Sequence, residues 1–90
     1  MAIGNLQTGS YKNMTATANV VPRAGALLGF YVNSTSSGTI RFYESATTTT
    51  TKVITNVITP AVGWHELPVS FNDGLYAVIA STLDVTIVFA

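Results

Sequence analysis

Residues 63–89 read GWHELPVSFNDGLYAVIASTLDVTIVF, and the way this stretch divides decides the fold. Leu75, Ala77 and Ile79 fall on one side of an extended segment, with Tyr76, Val78 and Ala80 on the other. A strand apolar on both faces belongs in the interior of a sheet structure. Asn72-Asp73-Gly74 supplies turn chemistry before it, since Asn and Asp bond their own backbone and Gly accepts positive φ. Ala80-Ser81-Thr82-Leu83 then separates it from a last strand in which Val85, Ile87 and Phe89 alternate with Asp84, Thr86 and Val88. The expected arrangement is a loop from Gly63, bent at Pro68, followed by a tight β-hairpin.

Working back towards the N-terminus, the same alternation recurs between polar breaks. Lys52 to Thr59 predicts a strand stopped by Pro60, and the five consecutive Thr residues over 47–51 predict a hairpin tip or an extended edge. Leu28, Phe30 and Val32 alternate with Leu27, Gly29 and Tyr31, and Ile40 and Phe42 alternate with Thr39, Arg41 and Tyr43. The polar run Asn33-Ser34-Thr35-Ser36-Ser37-Gly38 between them predicts a hairpin turn. Tyr11 to Val21 predicts one further strand, ended by Pro22 and Gly25, and residues 1–10 predict an N-terminal arm with little pattern of its own. No helical periodicity is long enough to predict a helix. The expectation is an all-β chain, a small antiparallel β-sandwich or jelly roll of about seven to eight short strands, with residues 11–90 forming a single domain.

Composition bounds what such a domain can do. Charged residues are 9% of the chain against about a quarter in an average protein, and hydrophobic residues are 48%. A domain of 90 residues buries about 60–65% of its unfolded surface, and with no Cys it has no disulfide to compensate. A small, unbridged, charge-poor domain is expected to be covered by other protein, most simply by copies of itself. Lys12, Arg23, Arg41 and Lys52 balance Glu44, Glu66, Asp73 and Asp84. Scattered singly, the cations do not form the cluster that phosphate neutralisation needs, so nucleic acid is not an expected partner. No run has the length of a membrane span, and residues 1–7 lack a leader pattern, which points to synthesis in a cytoplasm.

Catalytic equipment is sparse. His65, the single histidine, with Ser70 and Asp73 would need an orienting third group and an oxyanion hole to act as a triad. Glu44 and Glu66 would need to face one another across a cleft to cleave a glycoside. One His and four separated carboxylates make no convincing metal site, and no glycine loop suits a phosphate. The expectation is a protein without catalytic residues, metal or cofactor. Tyr31, Tyr43 and Trp64 form the one candidate site, a stacking platform for sugars or a protein contact. The competing expectation is that Trp64 plugs the core and the two tyrosines are cross-strand or oligomer contacts.

The succession Leu28-Gly29-Phe30-Tyr31-Val32-Asn33, Gly38-Thr39-Ile40-Arg41-Phe42-Tyr43, Ile58-Thr59-Pro60, Gly63-Trp64, Leu67-Pro68, Phe71, Gly74-Leu75-Tyr76 and Asp84-Val85-Thr86-Ile87 resembles the small all-β virion proteins of tailed bacteriophages. It spans residues 26–89, leaves out 1–25 and the Thr run, and is carried by structural motifs. What the resemblance implies is a capsid decoration, or cement, protein: a homo-oligomer, often a trimer, that sits on the major capsid protein and stabilises the shell. Its location would be the virion, after synthesis in the host cytoplasm. The alternative it leaves open is a carbohydrate or receptor-binding module of a tail fibre or baseplate.

Overall fold

Two long strands carry the molecule. The computed structural model describes residues 9–90, so the expected arm lies outside the described residues except for Gly9 and Ser10. Those described residues form β1 (Ser10–Met14), β2 (Ala18–Val21), β3 (Gly25–Glu44), β4 (Gly63–Phe71) and β5 (Leu75–Phe89), with no helix. The chain is all-β and every pairing is antiparallel, in the order β1-β5-β3-β4, with β2 on β5 as well.

The expected hairpins at 33–38 and 80–83 do not exist. Each polar stretch lies inside one continuous strand, and the two lie opposite each other in the β3–β5 ladder, which runs from Leu27↔Phe89 to Glu44↔Leu75. This is why five strands stand where seven or eight were expected. Turn-forming residues here produce a bend. Ser36 and Ser37 both oppose Thr82, a bulge, and Ser37 and Ser81 adopt φ of 56° and 62°. Gly38 donates its N–H to Thr35 Oγ1 at 3.0 Å; a Cβ there would collide with the Thr82 carbonyl and Leu83 Cβ.

The bend folds the ribbon back on itself. A straight strand of 20 residues would measure roughly 66 Å, yet the longest dimension of the molecule is 41 Å. Phe30 and Phe42, on the same strand, bring their rings to 5.5 Å. Phe71, opposite Gly25, is joined to Leu75, opposite Glu44, by residues 72–74 alone; four Cα steps and two inter-strand spacings hold the two ends of β3 within about 25 Å of each other. Between the facing halves lie Leu27, Phe30, Val32, Ile40, Phe42, Leu75, Leu83, Val85 and Ile87, all essentially inaccessible to solvent. Burial of such side chains stabilises by about 1.5–3 kcal/mol each.

Three further expectations change. The strand expected over 11–21 is broken at 15–17, where the chain crosses from one half of β5 to the other. Thr17 spans the gap: its Oγ1 accepts from the Ile79 N–H at 2.9 Å and donates to the Ile79 carbonyl at 3.2 Å. Residues 52–59 are not a strand. They touch β3 through the bridges Tyr43↔Val53 and Ile40↔Ile58 and run along its free side. The segment expected to be a loop, 63–71, is the edge strand β4. Its inward set is His65, Leu67, Val69 and Phe71, and its outward set is Trp64, Glu66, Pro68 and Ser70. Pro68 is tolerated because β4 is an edge and the register shifts between Leu27 and Gly29, opposite it.

The 72–74 link is held by Glu44, whose Oε2 accepts the N–H groups of Asn72 at 2.7 Å and Asp73 at 3.2 Å. Gly74 adopts φ of 154°, and a Cβ there would sit 2.5 Å from the Val21 carbonyl oxygen and 2.6 Å from that of Ser45. Ala46 Cα would lie at 2.8 Å, and these three nearest atoms are all backbone, which cannot swing aside. Gly74→Ala is therefore expected to cost about 3 kcal/mol or more, read as a lowered midpoint in urea unfolding; a loss below about 1 kcal/mol would show that the link relaxes freely.

Candidate functional site

The outward parity of β4 places Trp64 on the surface, with 49% of its area exposed. The expectation that it plugs the core is overturned. Its indole rests on Gly29: a Cβ at residue 29 would lie 2.5 Å from Trp64 Cζ2 and 2.6 Å from Cη2, so the bare backbone of β3 is what lets the ring approach the sheet this closely. Tyr31, the direct cross-strand neighbour of Trp64, is 45% exposed. The two aromatics form an adjacent outward pair.

Tyr43 does not join them. It lies in the other half of β3 and is 8% exposed, tilted against Tyr76 at 6.1 Å with the Arg41 guanidinium 5.1 Å from its ring. Tyr43 is the cross-strand partner of Tyr76. The three-residue platform expected from sequence is thus a pair, Tyr31 and Trp64.

What joins the pair instead is polar. Tyr31 also pairs with Thr86 on β5, and Thr86 pairs with Asn13 on β1, so Asn13, Thr86, Tyr31 and Trp64 make one row across four strands. Asn13 Nδ2 donates to Asp84 Oδ1 at 2.8 Å, and Asn33 Nδ2 donates to the same oxygen at 3.1 Å and to Thr86 Oγ1 at 3.1 Å. One carboxylate is therefore clamped by amides from β1 and β3. Partners 51 and 71 residues apart leave no local sequence signal, which is why this cluster escaped the sequence reading.

The other candidates are dispersed. His65 points inward, donates Nε2–H to the Ala61 carbonyl at 2.8 Å and stacks on Phe30 at 5.1 Å. Ser70 belongs to the opposite parity of the same strand, and Asp73 is engaged by Lys52 at 2.8 Å. Glu44 is committed to the 72–74 link while Glu66 sits opposite Gly29. Among the described residues no group of three or more metal-ligating side chains occurs, and no helix is long and apolar enough to cross a membrane.

A second surface feature is an open recess of about 490 Å³ lined by Glu44, Ser45, Thr47, Thr49, Lys52 and Asp73. Ser45 organises its wall. The buried Oγ accepts the N–H groups of Thr47 at 3.0 Å and Thr49 at 3.1 Å, and Asn19 Nδ2 donates to the Ser45 and Thr47 carbonyls. The hydrogen bond to Asp73 raises the Lys52 ammonium above its ordinary value, helped by the charge of Asp73. A raised pKa means that this pair acts in full at neutral pH and fades only as strongly alkaline pH carries Lys52 through that value. Both partners are largely solvated, so its weight is small.

No protein-family model, curated protein or solved structure matches this chain. Function must be argued from the surface itself. Because Trp64 is outward, Trp64→Ala is expected to cost about 1 kcal/mol or less, whereas Phe30→Ala in the interior is expected to cost about 3–5 kcal/mol. Urea titrations of the two variants measure the difference, and equal losses would put Trp64 back among the structural side chains.

Proposed function

We propose that this chain is a structural subunit of a tailed-bacteriophage virion, a capsid decoration protein that works by contact with other protein and performs no chemistry. In this reading the folded-over ribbon is a two-layered β-sandwich, the subunit self-associates as a trimer, and the assembled trimer docks on the major capsid protein of the shell. The sequence resemblance over residues 26–89 motivates the class. The observation that carries the mode of action is the connection between β3 and β4.

Between Lys52 and Glu66 there is no Asp, Glu, Lys or Arg. This uncharged run follows the free side of β3 through two bridges, and it exposes Val53, Val57 and Val62 at 47%, 58% and 59%. Sheet margins in free monomers are normally protected by charge, especially Lys. A margin this apolar is an interface in waiting. Only one ion pair occurs among the described residues. Binding only the assembled shell would stabilise the shell by mass action, without any catalytic step.

Native mass spectrometry of the full chain is expected to give a closed oligomer, a trimer in this reading. Val57→Lys is expected to shift it to monomer while leaving the thermal unfolding cooperative, because Val57 lies outside the core. Virions purified from producing cells should carry the chain in fixed ratio to the major capsid protein. A monomeric wild type, or virions free of the chain, would sink the proposal.

A further inference from the structure

The strip formed by Asn13, Asp84, Asn33, Thr86, Tyr31 and Trp64 has a composition that protein contact does not require. We infer that it is a binding site for a neutral oligosaccharide, one ring stacked on Trp64 and Tyr31 and the next donating its hydroxyls to Asp84 and the flanking asparagine carbonyls. This site adjoins the valine-lined margin proposed for self-association at Val62, two residues before Trp64, but is built from different side chains and does not depend on that proposal.

The first argument is the fixed acceptor. A carboxylate on a sheet surface ordinarily rotates freely in water, but Asp84 is held by two amides from two different strands. Both bonds fall on Oδ1; no donor among the described residues reaches Oδ2. A carboxylate oxygen accepts only, so the site offers oriented acceptors, Asp84 Oδ2 with Asn13 Oδ1 and Asn33 Oδ1, to a ligand rich in hydroxyl donors. Holding them in place before binding lowers the entropy cost of the complex.

The second argument is the aromatic pair. Tyr31 and Trp64 expose ring surface next to these acceptors, connected through Thr86 in the same cross-strand row. Aromatic faces take the C–H face of a pyranose while its edge hydroxyls turn to hydrogen-bond partners. With strands about 4.8 Å apart, the row from Asn13 to Trp64 spans roughly 14 Å, the reach of a short oligosaccharide and more than one sugar needs. Gly29 keeps this face low: any side chain there would lift the indole.

Charge selects the ligand further. The adjacent row contains Tyr11, Val88, Gly29 and Glu66. The two rows with Asn33 and Asp84 therefore present two carboxylates and no cation, which favours uncharged hydroxyl donors and disfavours sialylated or phosphorylated chains.

Trp64 is the only tryptophan, so its fluorescence reads the site directly. The wild-type protein is titrated with cellohexaose, maltohexaose, chitohexaose and a sialic acid hexamer. The expected result is a saturable change with at least one neutral hexamer and none with the sialic acid hexamer. Asp84→Asn is expected to weaken binding about tenfold or more, and Trp64→Ala, read by saturation-transfer NMR on the sugar, to abolish it. Trp64→Ala should leave the oligomer mass unchanged. No saturable response to any neutral hexamer, undiminished binding by Trp64→Ala, or dissociation of the oligomer by that variant would overturn the inference, the last by showing that a second copy of the chain occupies this face.

Discussion

The packing of Phe30 against Phe42 is the contact on which the remaining structure depends, because it can form only if one strand reverses over its own length. Neither ring could be buried by a flat β3–β5 ribbon, which would leave one apolar face in water along its whole length. Folding the ribbon at Ser36-Ser37 and Ser81-Thr82 brings the two halves of that face together. The bend also positions everything at the margins: β1 and β2 must part at Thr15-Ala16-Thr17 to follow the two halves of β5, and residues 72–74 can be short because the ends of β3 have been brought close.

The same bend produces the two surfaces to which functions are proposed. On the half containing β1 and β4, the outward parity gathers side chains from four strands into the row from Asn13 to Trp64. On the other half, β3 has no full strand on its free side, and the bridging run from Val53 to Ile58 covers it incompletely. The apolar margin proposed for self-association is thus the place where the fold-over leaves β3 without a regular partner. The polar and aromatic strip lies where the sheet is widest. Neither surface requires a buried charge or a reactive group.

Local chemistry in the sequence was a good guide to residues and a poor guide to elements. Alternation at Leu27–Val32, Ile40–Phe42 and Val85–Phe89 identified true strand segments, and Asn72-Asp73-Gly74 is a true link. Ser, Asn and Gly at 33–38 do bend the chain, but a bulged bend and a hairpin turn draw on the same residues. What distinguishes them is the partner: residues 80–84 pair with 34–39 and keep the ladder intact through the bend, a long-range fact that neither stretch reveals alone. Trp64 was misplaced because Pro68 and Gly63 suggested a loop. Read as a strand, the segment groups Trp64 with Glu66 and Ser70 and opposite Leu67, Val69 and Phe71, which already sends the indole outward. The clamp on Asp84 draws on Asn13, Asn33 and Asp84 from three strands, and only the folded register brings them together.

The placement of β5 has an entropic corollary. It pairs with β1, β2 and β3, yet it is the last of the strands to be synthesised. Without Leu75–Phe89 the two halves of β3 keep only β4 and the two bridges to Val53 and Ile58 on one side, and the ladder that runs through the bend and joins the halves is missing. Within the β3–β5 ladder the pair closest in sequence is Glu44 and Leu75 and the pair farthest apart is Leu27 and Phe89, so the entropy cost of closing the ladder is lowest at the 72–74 link and grows towards its other end.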